Sequence, residues 1–194
     1  GITSLCCMPN TNPVIDSDYL VSYIKLKGAS LNYNLYPVAA MTKHLEGVSM
    51  SEFGILKDAG AIALSDDGKC VQDAKLMYEI MKYAKMHEIL LILHEEDYSF
   101  SRYGFVNEGY YSAKLGIDGI SSLSEEIMVS RDIMLSEQTG CAVHITHVSS
   151  ERSVEMLKNA KEKGLKITCD VTPHHIYFND SVLESYNTNF KVNP

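Results

Sequence analysis

Acidic and imidazole side chains follow apolar, strand-like runs at several places in this sequence. The run ILLIL (89–93) leads directly into His94 and three carboxylates, and AIALS (61–65) is followed by Asp67. His147 lies near the end of the run AVHITHV. Carboxylate and neutral imidazole are the donors that zinc and similar divalent ions prefer. Such an ion polarises a carbonyl group and lowers the pKa of a bound water toward about 7, so these residues are candidates for metal-assisted hydrolysis.

The spacing of the three candidates excludes a local metal-binding loop. Asp67 and His94 are 27 residues apart, and His94 and His147 are 53 residues apart. Separations of this size are expected when each ligand follows a different strand of one parallel sheet, because active sites of such folds form at the carboxyl ends of the strands. Five of the six strand-like runs end in potential ligands or other hydrogen-bonding groups.

Each candidate also has an ordinary structural interpretation. Asp66 and Asp67 precede a glycine, and Asp-Gly is a common turn sequence. His94 and His147 each fit a hydrogen-bonded histidine in the core or in a loop. His144 alternates imperfectly with His147 along its run, so at most one of the two faces the site. The combination of residues favours the metal interpretation, not any member alone.

Other polar residues near these runs have supporting interpretations. We expect Glu95, Glu96 and Asp97 to be solvated or structural and not metal ligands. His174 and His175 are adjacent and point in opposite directions if the chain is extended. One of them, His175 in our assignment, is then placed to support the metal ligands from behind.

Strand-like and helix-like segments alternate along the chain. The strand-like runs are 2–8, 31–41, 61–65, 89–93, 142–148 and 165–171. The helix-like segments are 71–88, 124–140 and 151–164. The pattern predicts right-handed βαβ units and a parallel sheet, either doubly wound or most of a (β/α)8 barrel, and periodicity does not choose between them.

Helical spacing predicts which side chains of two helices face the core. In 71–88 they are Ala74, Met77, Ile80, Met81 and Ala84, and in 151–164 they are Val154, Leu157 and Ala160. The irregular segment 98–123, rich in tyrosine and glycine, is expected to form a structured loop or short helix over one end of the sheet.

Composition excludes several classes of protein. The chain has 194 residues, 45% of them hydrophobic and 22% charged, which is typical of a globular protein. Its net charge of −8 argues against binding to nucleic acid or to an anionic membrane surface. It has neither an apolar run long enough to span a membrane nor the features of a signal peptide.

The cysteines indicate a reducing compartment. Their number, five, is odd and they include no CxxC spacing, which disfavours both a disulfide framework and a thiolate metal site. We therefore expect reduced, mostly buried thiols in a cytoplasmic protein.

Taken together, the sequence motifs resemble those of dihydroorotases of the long bacterial type, which are metal-dependent amidohydrolases. The resemblance extends from residue 1 to residue 194. The matching motifs, in chain order, are MPNTNP (8–13), SDDGKCVQD (65–73), HEED (94–97), NEG (107–109), EEIMVSRD (125–132), THVSSERS (146–153), TCDVTPHH (168–175) and KVNP (191–194).

The resemblance implies a (β/α)8 TIM barrel with two zinc ions. It implies that Asp67 bridges the two metals and that His94 and His147 ligate the second. Asn10 and Asn193 would bind the substrate. The reaction would be the reversible cyclisation of N-carbamoyl-L-aspartate to L-dihydroorotate in pyrimidine biosynthesis. Many amidohydrolases place a carboxylated lysine where this sequence has Asp67, and the match favours the aspartate over the nearby Lys69.

Two motifs of the family are absent. They are the Asp-x-His-x-His/Arg element of the first barrel strand and the aspartate of the eighth, which acts as general base. Residues 1–194 thus correspond to one partial barrel domain, containing the second to seventh strands. We expect no catalytic base within this chain, and we expect the chain alone to be an inactive fragment of a longer enzyme.

Two other functions remain compatible with the sequence. The parent protein is alternatively a non-catalytic relative that serves as a structural partner of aspartate carbamoyltransferase, although all three candidate ligands are present. It is alternatively another cyclic amidohydrolase, such as a hydantoinase or allantoinase, which MPNTNP and KVNP fit poorly. The sequence leaves a homodimer open.

Overall fold

The computed structural model describes residues 1–194, and its main feature is a six-stranded parallel sheet. The strands of this sheet are β1 (Ser4–Cys7), β2 (Asn34–Ala40), β3 (Ala63–Ser65), β4 (Leu90–Leu93), β7 (Val143–Ile145) and β8 (Ile167–Cys169), hydrogen-bonded in that order. A separate two-stranded sheet consists of β5 (Val106–Asn107) and β6 (Gly119–Ile120). All six predicted strands are present.

Helices connect the strands of the large sheet. The longer ones are α1 (Asp18–Gly28), α2 (Phe53–Ala59), α3 (Ala74–Met86), α6 (Leu123–Thr139) and α7 (Glu151–Glu162). The short ones are α4 (Tyr98–Ser101), α5 (Tyr110–Leu115) and α8 (Pro173–Tyr177), with single 3-10 turns at Lys43–Leu45, Asp180–Ser185 and Thr188–Phe190. None of the helices combines the length and the apolar character that a membrane span needs.

The sheet curls into part of a barrel, with the helices packed on its outer face. Between the sheet and the helices lies a core of 24 buried hydrophobic residues, to which Leu91 and Leu93 of β4 belong. Ile92 points to the opposite face and packs with Val38 and Ala63 in a cluster of three. The sheet is therefore buried on both faces, which explains why its central strands are continuous apolar runs.

The structure confirms most of the predicted inward-facing residues of the two helices and corrects two of them. In α3, Met77, Ile80, Met81 and Ala84 are buried, whereas Ala74 in the first turn is exposed. In α7, Leu157 and Ala160 are buried as predicted, but Val154 is 55% exposed. Ser153 takes the inward position, because it lies four residues before Leu157 and seven before Ala160, whereas Val154 lies six before Ala160 and is turned away from it.

The expectation of mostly buried cysteines was wrong. All five are free, but only Cys70 and Cys141 are buried. Cys6 and Cys169 are exposed because they lie on β1 and β8, the outermost strands of the large sheet.

The segment 98–123 forms the predicted structured excursion and contains α4, β5, α5 and β6. It contacts the chain near residue 180 through polar groups. Asn107 donates to Asp180 at 3.0 Å, Lys114 pairs with Glu184 at 2.6 Å, and the hydroxyl of Tyr186 donates to the carbonyl of Leu115. The excursion and residues near 180 together wall a cavity beside His94.

Candidate metal centre

Three strand ends bring Asp67, His94 and His147 together. These residues follow β3, β4 and β7, which are adjacent in the sheet, and their ligand atoms all lie within 4.8 Å of one another. His94 Nδ1 is 2.9 Å from His147 Nε2, and His147 Nε2 is 4.0 Å from Asp67 Oδ1.

The chemistry of this cluster fits a divalent metal ion. Two imidazoles and one carboxylate are a donor set typical of zinc. Ligands of one tetrahedral ion, each about 2.1 Å from it, are about 3.4 Å apart. That distance lies within the range of separations found here, from 2.9 Å to at most 4.8 Å, so small side-chain shifts would adapt the cluster to an ion. The cluster is a possible three-residue metal-binding group.

The contacts of His94 define which of its nitrogens can bind a metal. Its Nε2 lies 3.0 Å from Glu96 Oε2, and its ring is almost completely buried. Donation from Nε2 to the carboxylate leaves Nδ1, the atom that faces His147, without a proton. The hydrogen bond from His94 also lowers the pKa of Glu96 below its usual value, so the carboxylate stays charged.

Burial and the neighbouring His94 lower the pKa of His147. At neutral pH the His147 ring is therefore neutral, which is the form that binds metals. The 2.9 Å contact between the two rings requires a proton on one of the facing nitrogens, and this proton must leave that atom before both rings can bind an ion.

The two adjacent aspartates after β3 have different roles. Asp66 is buried and accepts hydrogen bonds from the backbone and the hydroxyl of Thr42. The backbone carbonyl of Asp66 accepts a hydrogen bond from the backbone N–H of Lys69, so the predicted turn also forms. Burial raises the pKa of the Asp66 carboxyl, which the bonds from Thr42 partly oppose. Asp67 is left to face the two histidines.

His144 and His147 diverge, as predicted. His144 contacts Thr168 Oγ1 at 2.7 Å and Asp170 Oδ2 at 3.0 Å, away from the cluster. The other oxygen of Asp170 accepts a 2.6 Å bond from the backbone N–H of His147. His147 has a φ of 40°, the left-handed region that non-glycine residues seldom adopt.

The acids after His94 are structural with one exception. Asp97 caps α4, and Glu95 is buried beside Arg131 and Asp132. Burial and the neighbouring Asp132 raise the pKa of Glu95 well above its usual value. Glu96 differs because it contacts a candidate ligand. The available signal was its spacing, since residues two apart in an extended chain share a face.

The cavity beside His94 has a volume of about 590 Å³. Asn193, Glu96 and Phe178 are among the residues that line it. Asn10 lies at the metal cluster instead, where its amide donates to Asp67 Oδ2 at 3.1 Å. The two predicted substrate-binding residues therefore occupy different parts of the site.

The chain at His174 and His175 is helical and not extended. Both residues lie in α8, which Thr172 caps and Pro173 begins, and their ring centroids are 4.5 Å apart. His175 lines the cavity and its Nε2 bonds to the carbonyl of Pro194 at 3.0 Å, so this bond does not go to any of the three candidate ligands.

The architecture places the chain in a class before any relative is considered. Six parallel strands that neighbour one another in chain order, with outer helices and polar groups at the carboxyl ends, form part of a (β/α)8 barrel and not a doubly wound sheet, whose strand order reverses. The solved structure of L-hydantoinase (dihydropyrimidinase) from Arthrobacter aurescens agrees. It matches 100% of this chain and 45% of its own length with a TM-score of 0.80 and 19% identity. D-Hydantoinase from a Bacillus species matches 94% of this chain and 42% of its own length, with a TM-score of 0.70 and 15% identity.

Sequence comparison then identifies the family within this class. Residues 1–153 match the family model described as dihydro-orotase-like, and the chain belongs to that family. Dihydroorotases from Acetivibrio thermocellus and Pelotomaculum thermopropionicum are 48% and 45% identical to it, over its full length. The chain spans 46% and 45% of the length of these two relatives.

Proposed function

We propose that the intact polypeptide is a dihydroorotase, a zinc-dependent cyclic amidohydrolase that interconverts L-dihydroorotate and N-carbamoyl-L-aspartate. The observation that carries this proposal is the convergence of Asp67, His94 and His147 at neighbouring strand ends. Membership in the dihydro-orotase-like family supports the choice of substrate.

Each predicted site residue has a role in this proposal. Asp67, His94 and His147 would hold zinc. A bound zinc ion supplies Lewis acidity, which polarises a carbonyl and makes a water more acidic. Glu96 orients the ring of His94 through the 3.0 Å bond to Nε2.

We place the substrate in the cavity beside the metal cluster. The cavity of about 590 Å³ is in the range of small-molecule sites. Asn193 on its wall and Asn10 beside Asp67 offer amide donors to substrate oxygens. His175 supports the cavity wall near Asn193. We assign the general base to a residue outside 1–194, in the part of the relatives that this chain does not match.

The decisive experiment compares two histidines of the same strand region in the intact polypeptide. We expect His147→Ala to lose bound zinc and turnover with dihydroorotate. His144→Gln is the matched control, because glutamine keeps a donor for Asp170, and it should retain both. Metal analysis and an assay in both directions, with and without chelator, measure these effects.

Three results would overturn parts of this proposal. Full zinc content in His147→Ala would refute the ligand assignment. Bound zinc with turnover of hydantoin or allantoin in place of dihydroorotate would change the substrate. A metal-free wild type without turnover that copurifies with aspartate carbamoyltransferase would indicate a structural partner instead of an enzyme.

We also propose a cytoplasmic location and a homodimer. Five free cysteines support a reducing compartment. Fractionation of cells and the mass of the intact polypeptide in solution test the two statements separately.

A further inference from the structure

A single buried carboxylate holds the loop that follows His147. Glu125 accepts hydrogen bonds from the backbone N–H of Ser149 at 2.9 Å, from the Ser149 hydroxyl at 2.7 Å and from the backbone N–H of Ser150 at 3.0 Å. Glu125 is 7% exposed. Ser149 is two residues beyond His147, so these bonds fix the chain next to the candidate ligand.

The conformation of His147 needs such support. Its φ of 40° is unfavourable for a residue with a Cβ, and it persists only where surrounding contacts impose it. Asp170 binds the N–H of His147 itself, and Glu125 binds the two N–H groups that follow Val148. Carboxylates from two different elements thus hold both sides of the loop.

Glu125 is itself held by regular secondary structure. It lies in the first turn of α6, the 17-residue helix Leu123–Thr139. It approaches Ser150, the residue before α7, and so connects the beginnings of two helices. Its position therefore depends on rigid elements and not on the loop that it binds.

We propose that Glu125 is a positioning residue that holds His147 in its metal-binding geometry. The inference rests on the proposed metal centre and adds a residue that touches neither the metal cluster nor its direct hydrogen-bond partners. A carboxylate is required because both of its oxygens accept. In Glu125→Gln the amide NH2 group replaces one acceptor and faces a backbone N–H, so one side of the loop is released.

The neighbouring residues provide a matched control. Glu126 lies beside Glu125 in the same helical turn, and is also buried, but it accepts only from the hydroxyl of Ser150 at 2.6 Å. It makes no bond to the backbone of the loop. Ser149 and Ser150 form a second pair, since the hydroxyl of Ser149 bonds to Glu125 and that of Ser150 to Glu126.

The experiment measures zinc affinity in the intact polypeptide by competition with a chelator. We expect Glu125→Gln to weaken zinc binding by about 10- to 100-fold, the usual effect of losing a group that orients a ligand. Ser149→Ala, which keeps both backbone bonds, should weaken it less. Glu126→Gln and Ser150→Ala should leave zinc affinity unchanged. The visible spectrum of the Co²⁺-loaded protein reports ligand geometry. It should therefore change in Glu125→Gln and Ser149→Ala but not in Glu126→Gln or Ser150→Ala.

Denaturant unfolding of the zinc-free variants separates positioning from stability. Equal zinc affinity and an unchanged Co²⁺ spectrum in Glu125→Gln, with lower stability alone, would overturn this inference and leave the proposed function intact. A wild type that binds no zinc would overturn the proposed function first. If Glu125→Gln does not fold, the zinc affinities of Ser149→Ala and Ser150→Ala are compared instead. Equal zinc affinities of these two variants would contradict the proposal.

Discussion

The two sheets of this protein differ in how strongly their surroundings fix them. The strands β3, β4 and β7 each have a hydrogen-bonded neighbour on both sides and are largely buried. The β5–β6 sheet has two strands of two residues each, and none of these residues is buried. The candidate metal ligands follow the first set of strands, whereas the second sheet helps to wall the cavity.

This difference suggests a division of work within the site. Groups that must hold an ion within fractions of an ångström belong on rigid elements, and a wall that meets the substrate tolerates a less constrained surface. Substitutions in the core that packs on the large sheet should therefore change the free energy of unfolding of the whole chain. Substitutions in the excursion (98–123) should change only the structure of that segment.

The largest effect is expected from breaking a buried ion pair. Arg131 forms two 2.8 Å bonds to Asp132 and donates to the carbonyl of Val71, and the Asp132 side chain is 1% exposed. Arg131→Met leaves that carboxylate buried beside Glu95 without its cationic partner, which should cost about 3–5 kcal/mol in the free energy of unfolding. Urea unfolding of the intact polypeptide measures it.

An exposed ion pair between the excursion and Glu184 provides the contrast. Lys114 and Glu184 are 2.6 Å apart, but their side chains are 45% and 49% exposed. Lys114→Met should therefore leave the free energy of unfolding unchanged within error. Equal losses in Arg131→Met and Lys114→Met would remove the proposed difference between the two regions.

A smaller effect is expected from truncating a core leucine. Leu91 of β4 is fully buried in the main core, and Leu91→Ala should cost about 2–5 kcal/mol because it leaves a cavity. Leu115→Ala, at the half-buried end of α5, should cost less than about 1 kcal/mol, since solvent already reaches the side chain. Chemical denaturation compares the pair, and similar midpoints for both would contradict the expectation.

The smallest global effect is expected from Gly104→Ala. A Cβ there would clash with Ile120 and lie 2.8 Å from the carbonyl of Gly119, so β6 must move. We expect faster proteolysis within 98–123 and little change in global stability. Gly109→Ala is the control, because its Cβ would meet nothing closer than 3.9 Å. If both variants are cut at the same rate, the excursion does not depend on this close contact.

Much of the fold could be predicted because its elements follow from local pattern. The six strands are short apolar runs, and the helices α3, α6 and α7 lie within or close to the helix-like segments predicted from the sequence. The errors arose at positions whose burial depends on packing against other elements. Val154 was assigned inward from its spacing, but the way α7 packs on the sheet turns Ser153 inward instead. Cys6 and Cys169 were expected to be buried, but β1 and β8 are the outermost strands.

The sequence by itself determined where the strands lie and which polar residues follow them, because an apolar strand and the polar residues after it are both local patterns. The sequence motifs name Asp67, His94 and His147, but only the tertiary structure decided that their side chains meet and that Asp66 and His144 turn to other partners. The physical reason is that orientation depends on contacts between distant segments, such as Thr42 with Asp66 and Asp170 with His147. The bonds from Ser149 and Ser150 to Glu125 span 24 and 25 residues, and no local pattern encodes them.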